Sequence, residues 1–357
     1  MSKVIRIISA SVMLTVLSAI ILAGCGNRHS DKAGLNKSDI TETLSQTLES
    51  EKDSQMNSRS EENTDTEITD TEAEDSGQTA SEEDSQEETS NPYIIVREPY
   101  TGVPVYEDME HIYMNTTWEY ADHSAISDGY AVLYKAAGER KNIIIGVNAG
   151  HGTAGGSSVR TLCHPDGSPK STGGSTAAGA TTATAVSGGM TFYDGTPESE
   201  VTFRMAQILR DRLLSQGYDV LMVRDSADVQ LDNVARTVIC NNVADCHISL
   251  HWDGDGLSYD KGCFYIAVPD AIKDMEPVAT HWQQHNALGA SLVNWLGDVG
   301  MKIHGSGSMA IDLTQTSYST IPSVDMELGN ASSDHSDETL ENIADGLMAG
   351  INAYYGY

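Results

Sequence analysis

Four residues, widely separated in a chain of 357, carry side chains suited to hydrolysis: His151, Glu198, His251 and Glu327. Two imidazoles and one carboxylate form a three-ligand set that leaves the fourth position of a zinc ion open to water. Such an ion polarises a carbonyl and lowers the pKa of its water towards about 7, as metal-assisted hydrolysis requires. A further carboxylate within reach, here Glu327, would act as general base. A histidine at a strand end is by itself more often a packing or surface residue. The set therefore depends on the elements that bring its members together.

Those elements read as alternating strands and helices. The apolar run at 142–147 is patterned as a buried central strand. It leads into Asn148-Ala149-Gly150-His151-Gly152, a glycine-bounded loop at the strand's carboxyl end. Apolar residues at 201, 205, 208, 209 and 213 have helical spacing, with Glu198 at the opening and Gly217 as a natural stop. Strands follow at 218–223, at 245–250 running into His251, at 262–268, and at 323–328 with Glu327 near its end. Helices are expected at 234–243, 280–299 and 338–354. The rhythm predicts an α/β fold: a single three-layer domain with a mixed, mostly parallel sheet flanked by helices on both faces. In such sheets ligands bind outside the carboxyl ends of the strands. Residues 153–197 are rich in Gly, Ser, Thr and Ala and read as a long loop or insertion, either lining, lidding or narrowing a groove or an inert excursion. Residues 93–140 read as a poorly patterned lead-in with a short helix at 130–137.

The first 24 residues are an address. Lys3 and Arg6 precede an apolar run, and the run ends in Leu22-Ala23-Gly24-Cys25. This order resembles the lipobox of bacterial lipoproteins. The resemblance implies a signal peptide at 1–24 and Cys25 as the lipidated first residue of the mature chain, anchored to the membrane. An uncleaved N-terminal membrane helix is the alternative. Either arrangement places the rest outside the cytoplasm, facing the cell wall. Residues 25–92 then form an acidic tether, too polar to bury a core and expected to be disordered. The chain holds 52 acidic against 21 Lys and Arg residues, a net charge of −31. No basic stripe interrupts it, which argues against nucleic-acid partners.

From residue 142 to 355 the order of segments resembles the zinc-dependent N-acetylmuramoyl-L-alanine amidases, which trim bacterial peptidoglycan. Val147-Asn148-Ala149-Gly150-His151-Gly152 is similar to that family's "(I/V)DAGHGG". Residues 198–220 are similar to its "E…VN-L-A…LRD-LL…GY-V", and Val223-Arg224-Asp225 to its "TRD". Arg236, Ala244-Asp245 and Ile248-Ser249-Leu250-His251 match its "R…AD-ISIH". Residues 321–330 match its "P-VLVE-G". The resemblance implies a catalytic domain at 141–357, Zn2+ on His151, Glu198 and His251, Glu327 as the catalytic carboxylate, and peptidoglycan as substrate. The bond cut would be the amide between N-acetylmuramic acid and the L-alanine of the stem peptide. Asp194 and Glu200 rival Glu198 as ligand; register with Gly217 favours Glu198.

The chain also departs from the pattern. Asn148 replaces an Asp, Thr153 a Gly, and Trp252-Asp253 an Ala-Asn pair. The interval between His151 and Glu198 is far longer than usual. These departures leave two other readings open: a zinc carboxypeptidase acting on stem peptides, and a wall-binding lipoprotein with a decayed site. Trp252, next to a ligand, is a candidate for glycan contact, whereas Trp282 and Trp295 read as core. His247 shares a strand face with His251 but lies about 13 Å away along it, too far for one metal. His164, His281, His285, His304 and His335 read as surface or packing residues. Cys163, Cys240, Cys246 and Cys263 allow three complete disulfide pairings, or free thiols.

Overall fold

In a computed structural model of the chain, residues 106–357 are described. The expected signal peptide, Cys25, the acidic tether and the first part of the lead-in lie outside the described residues.

The strands are β1 (Tyr106–Tyr113), β2 (Tyr130–Ala136), β3 (Ile144–Ala149), β4 (Arg160–Leu162), β5 (Thr182–Thr184), β6 (Asp219–Met222), β7 (Cys246–Asp253), β8 (Cys263–Ala267), β9 (Ile303–Ala310) and β10 (Ser323–Asn330). The helices are α1 (Glu198–Ser215), α2 (Asn233–Val243), α3 (Val278–Asp298), α4 (Thr314–Tyr318) and α5 (Asp337–Tyr355). Eight strands form one mixed sheet in the order β1-β2-β6-β3-β7-β10-β8-β9. The central run β6-β3-β7-β10 is parallel, and so is the pair β8-β9. Strands β1, β2 and β6 pair antiparallel in turn, as do β10 and β8. Among the described residues no helix is long and apolar enough to cross a membrane.

Side-chain alternation sorts the layers. Val147 and Ala149 of β3, Ile248 and Leu250 of β7, and Val324 and Met326 of β10 point to one face, under α1, α3 and α5. Met205 and Leu209, Leu292 and Leu296, and Ile343 and Leu347 close the core from those helices. The opposite face is covered by α2, through Ala235, Ile239 and Cys240 over Leu133, Leu221 and Val223. Helix α2 in turn packs Val234 and Val238 against Tyr318 of α4. Asp232 caps α2, accepting from the Ala235 amide at 2.8 Å. The result is the three-layer α/β domain that the alternation predicts.

Three expectations are corrected. The segment at 130–137 is not a helix but strand β2. Its Tyr-Ala-Val-Leu-Tyr content favours a pleated surface, and pairing on both sides, with β1 and β6, outweighs local preference. The lead-in from residue 106 is thus part of the sheet. The segment 153–197 is not a featureless loop: β4 and β5 pair antiparallel within it. Strands of three residues are too short for a period of two to register. Strand β9 and the short helix α4 add to the expected elements. The four cysteines of the domain are buried and free.

Candidate active site

The four candidate residues meet at the carboxyl end of the central strands. His151 follows β3 in a left-handed conformation, φ 66°. Glu198 is the first residue of α1, His251 lies near the end of β7, and Glu327 lies opposite it on the parallel neighbour β10. His151 Nε2 is 2.8 Å from Glu198 Oε1. His251 Nδ1 is 3.0 Å from His151 Nε2 and 3.2 Å from Glu198 Oε1. The three ligand atoms lie within 4.8 Å of one another. Asp194 and Glu200, the rival acids, are exposed and outside this cluster.

Each donor is aimed from behind. The second ring nitrogen of His151, Nδ1, sits 2.9 Å from the Ser187 carbonyl and 3.1 Å from the Ser187 hydroxyl. Glu198 Oε2 accepts from the Met190 amide at 2.8 Å and Oε1 from the Trp252 amide at 3.0 Å. His251 Nε2 faces the Asp325 carboxylate at 3.9 Å. The cradle depends on two glycines. A Cβ on Gly150 would lie 2.2 Å from the His251 ring. One on Gly189, at φ 82°, would lie 2.8 Å from the ring of His151 and 2.9 Å from Glu198 Oε2.

Two buried arginines hold the loop that carries His151. Arg236 donates from Nη1 to Asn148 Oδ1 and the Ala149 carbonyl, at 3.1 and 3.2 Å. Its Nη2 reaches the His151 carbonyl at 2.6 Å and Thr153 Oγ1 at 2.9 Å. Arg224 donates to the carbonyls of Ala149, Gly150 and Ser199. Both arginines belong to sequence motifs, but their role is not legible there; most of their partners are backbone carbonyls, which leave no mark in residue types. The departures have local partners too. Asn148 Nδ2 donates to Ser249 Oγ at 2.8 Å, Thr153 Oγ1 donates to the Leu231 carbonyl at 2.9 Å, and Asp253 pairs with Lys261.

The electrostatics are those of a compact acid-imidazole cluster. Burial alone would raise Glu198, but hydrogen bonds from His151 and His251 hold it well below the usual carboxylate range. Burial would lower His251, yet Asp325, Glu198 and Glu327 outweigh it and push the imidazole up to about 10. Glu327 goes the other way: burial, then the Asp325 charge, raises it well above an ordinary carboxyl. Its Oε2 is buried without a hydrogen-bond partner.

The remaining candidates fall outside the cluster. Trp252 does not present its ring for glycan contact: it is 2 % exposed and packs on Phe192. The apolar face of β7 that carries Leu250 also carries Trp252, and this alternation turns it inward. His247 is fully buried, and burial with nearby Arg236 lowers it to about 3, consistent with a structural residue. His164 is buried against Asp312, Nε2 to Oδ1 at 2.9 Å. His335 stacks on Phe192. The segment 153–197 walls the site: Lys170, Thr176, Thr184 and Ser187 line a cavity shared with His251 and Asp325.

Comparison with known proteins points the same way. A family model described as N-acetylmuramoyl-L-alanine amidase matches residues 145–352. The solved N-acetylmuramyl-L-alanine amidase Ami1 of Mycobacterium smegmatis is 19% identical, with a TM-score of 0.51 over 61% of this chain and 99% of that one. The Mycobacterium abscessus Ami1 is 21% identical, with a TM-score of 0.48 over 60% and 99%. At 19% identity the likeness to the Mycobacterium smegmatis enzyme is one of fold. No curated protein matches.

Proposed function

The chain belongs to the family of N-acetylmuramoyl-L-alanine amidases, and we propose that it cleaves the amide between the lactyl group of N-acetylmuramic acid and the L-alanine of the stem peptide. His151, Glu198 and His251 would hold a zinc ion, with Glu327 as the proton-carrying carboxylate. The observation that carries this reading is the convergence of His151 Nε2, His251 Nδ1 and Glu198 Oε1 at 2.8–3.2 Å. The donor set fits the metal. Ligands held tetrahedrally at about 2.0–2.1 Å lie roughly 3.3 Å apart, close to these separations. The far nitrogen of His151 is already fixed by Ser187, as a metal-binding imidazole requires.

A zinc ion bound there supplies Lewis acidity to a carbonyl and to water. The chain's own residues do the rest. Glu327 Oε2, buried and unpartnered, accepts a proton as water attacks the amide carbon. The new C–O bond forms, the C–N bond breaks, and Glu327 returns the proton to the departing amine of L-alanine. Its raised proton affinity suits a group that must hold a proton between these events. The backbone amides of Met190 and Trp252 fix Glu198 in place while His151 and His251 keep it ionised, so the two acids have different duties.

The decayed-site reading loses its footing, because all four side chains are in place and Asn148 and Asp253 are satisfied locally. Family membership favours the amide at the muramoyl group over the peptide bonds a carboxypeptidase would cut. Digestion of purified peptidoglycan with mass spectrometry of the products tests the reading. We expect free stem peptides beginning with L-alanine, loss of activity with a chelator, and one zinc per chain. Glu327→Gln should keep the metal and lose hydrolysis by about 10²-fold or more; a variant as active as wild type would overturn the assignment.

The working place is proposed from the sequence: outside the cytoplasm, tethered by lipid on Cys25 and facing the wall. Cys25→Ser should release the protein from membranes, and retention of the variant there would count against the anchor.

A further inference from the structure

Two of the three donors are fixed from behind at hydrogen-bond distance, and the third is not. Nδ1 of His151 sits 2.9 Å from the Ser187 carbonyl, and both oxygens of Glu198 accept from backbone amides. His251 turns Nδ1 to the cluster, so a neutral ring that gives that nitrogen to a metal carries its proton on Nε2. Nε2 faces Asp325 Oδ2 at 3.9 Å, within the reach of an ion pair and beyond that of a hydrogen bond.

Packing does not account for an acid at this point. Asp325 Oδ1 is buried without a hydrogen-bond partner, which is costly. The motif that residues 321–330 resemble has a leucine here, and a leucine carries no such cost. That family's acid stands instead at the position of Asn148. Asn148 is engaged elsewhere: its Oδ1 accepts from Arg236 and its Nδ2 donates to Ser249. In register Asn148 and Asp325 flank Ser249, two residues before His251 on the same face of β7. Relative to the resembled pattern, an acid on one side of the ligand-bearing strand is exchanged for an acid on the other. We propose that Asp325 is the positioning residue of His251: it accepts the Nε2 proton when Nδ1 holds a metal, and so fixes which nitrogen binds and how the ring is turned. The role does not depend on charge, because a proton on the buried Oδ1 leaves Oδ2 an acceptor. The inference rests on the metal-site reading of His151, Glu198 and His251 and is independent of the substrate.

The test uses the full chain loaded with zinc or with cobalt. Zinc affinity is measured by competition with a chelator, ligand geometry by the cobalt absorption bands, and folding by denaturant. Histidine 15N spectra of the zinc-loaded wild type, with His251→Gln to assign the ring, should show His251 bound through Nδ1 and a slowly exchanging proton on Nε2. We expect Asp325→Leu to weaken zinc binding by about 10- to 100-fold and to alter the cobalt bands while its cooperative unfolding transition is kept. Asp325→Asn keeps an oxygen at the same reach and should restore most of the affinity. Wild-type zinc affinity and cobalt bands in Asp325→Leu would overturn the proposal, and so would an Asp325→Asn chain that binds no better than Asp325→Leu. A wild-type His251 bound through Nε2 would overturn it too, even where Asp325→Leu fails to fold. A wild-type chain that takes up no zinc would overturn the metal-site reading itself.

Discussion

Replacing Gly150 by alanine tests whether the donor cluster is positioned or merely adjacent. The new Cβ would lie 2.2 Å from His251 Cε1 and 2.6 Å from both ring nitrogens. Ordinary contact begins near 3.4 Å, so the ring and the loop must separate by about 1.2 Å. The loop is the less able to yield. The Gly150 amide donates to the Leu250 carbonyl, and its own carbonyl accepts from Thr202 Oγ1 and Arg224 Nη2 at 2.9 and 3.0 Å. The ring therefore moves, and His251 Nδ1 leaves its place 3.0 Å from His151 Nε2. A displacement of about 1 Å at a reacting centre costs on the order of 10²-fold in rate. Zinc stoichiometry, peptidoglycan hydrolysis and thermal unfolding should be measured together. We expect reduced zinc affinity and at least that loss of activity, with a cooperative unfolding transition retained. Gly188→Ala, where an added Cβ meets nothing within 4 Å, is the local control and should behave as wild type. Full zinc binding and full activity in Gly150→Ala would refute the claim that these distances govern function.

Other consequences are as direct. Arg236→Met strips donors from the carbonyls of Leu231, Ala149 and His151 and from Asn148; at about 1–3 kcal/mol per unsatisfied buried group, stability in denaturant should fall by at least about 3 kcal/mol, and a loss under about 1 kcal/mol would contradict the role. Burial alone would raise the Asp312 carboxyl, but hydrogen bonds from His164 and the Ser171 amide, with the Lys170 charge nearby, leave it below its ordinary value. The folded state therefore gains from ionised Asp312 above about pH 4 and loses that gain as pH falls further; Asp312→Asn should be less stable at pH 7 and lose less on acidification, and an unchanged acid profile would sink the argument. Burial pushes the Cys246 and Cys263 thiols up to about 12; the native Cys25→Ser chain should resist a thiol reagent and show all four thiols only after denaturation, whereas two or none would reveal disulfides.

Much of this arrangement is legible in residue order. Long elements with a full period declare themselves: α1, α3 and α5 lie within a few residues of the expected spans, as do β3, β7 and β10, which carry the site. What residue order hides is short or depends on distant partners. Strands β4 and β5 have three residues each, and β2 is a strand because β1 and β6 flank it. The His164–Asp312 pair joins residues 148 positions apart, so neither side chain advertises the other. Trp252 suggests a glycan contact because its neighbour at 251 faces the site, while alternation along β7 sends 252 to the core.

The same alternation explains why the site can exist within a parallel sheet at all. Strands buried on both faces are normally apolar throughout. Here one face is apolar, and the other carries Asn148 on β3, His247, Ser249 and His251 on β7, and Ser323, Asp325 and Glu327 on β10. Those groups are largely completed from the thin layer above them. Gln315 of α4 accepts from Ser249 and donates to Ser323 Oγ and the Val324 carbonyl, and Arg236 of α2 reaches Asn148. Register places Asn148 and Asp325 on either side of Ser249, two strands apart or roughly 10 Å. The motif this segment resembles has an acid at the first position and a leucine at the second, so one carboxyl group beneath the histidines is kept but moved, and burial raises it there. At Asn148 the amide both accepts from Arg236 and donates to Ser249, which a carboxylate cannot do. At Asp325 the carboxyl faces His251 through Oδ2 and keeps its other oxygen buried without a partner. The altered position and the enlarged segment 153–197 thus meet in the walls of one cavity beside His251, away from the three donor atoms themselves.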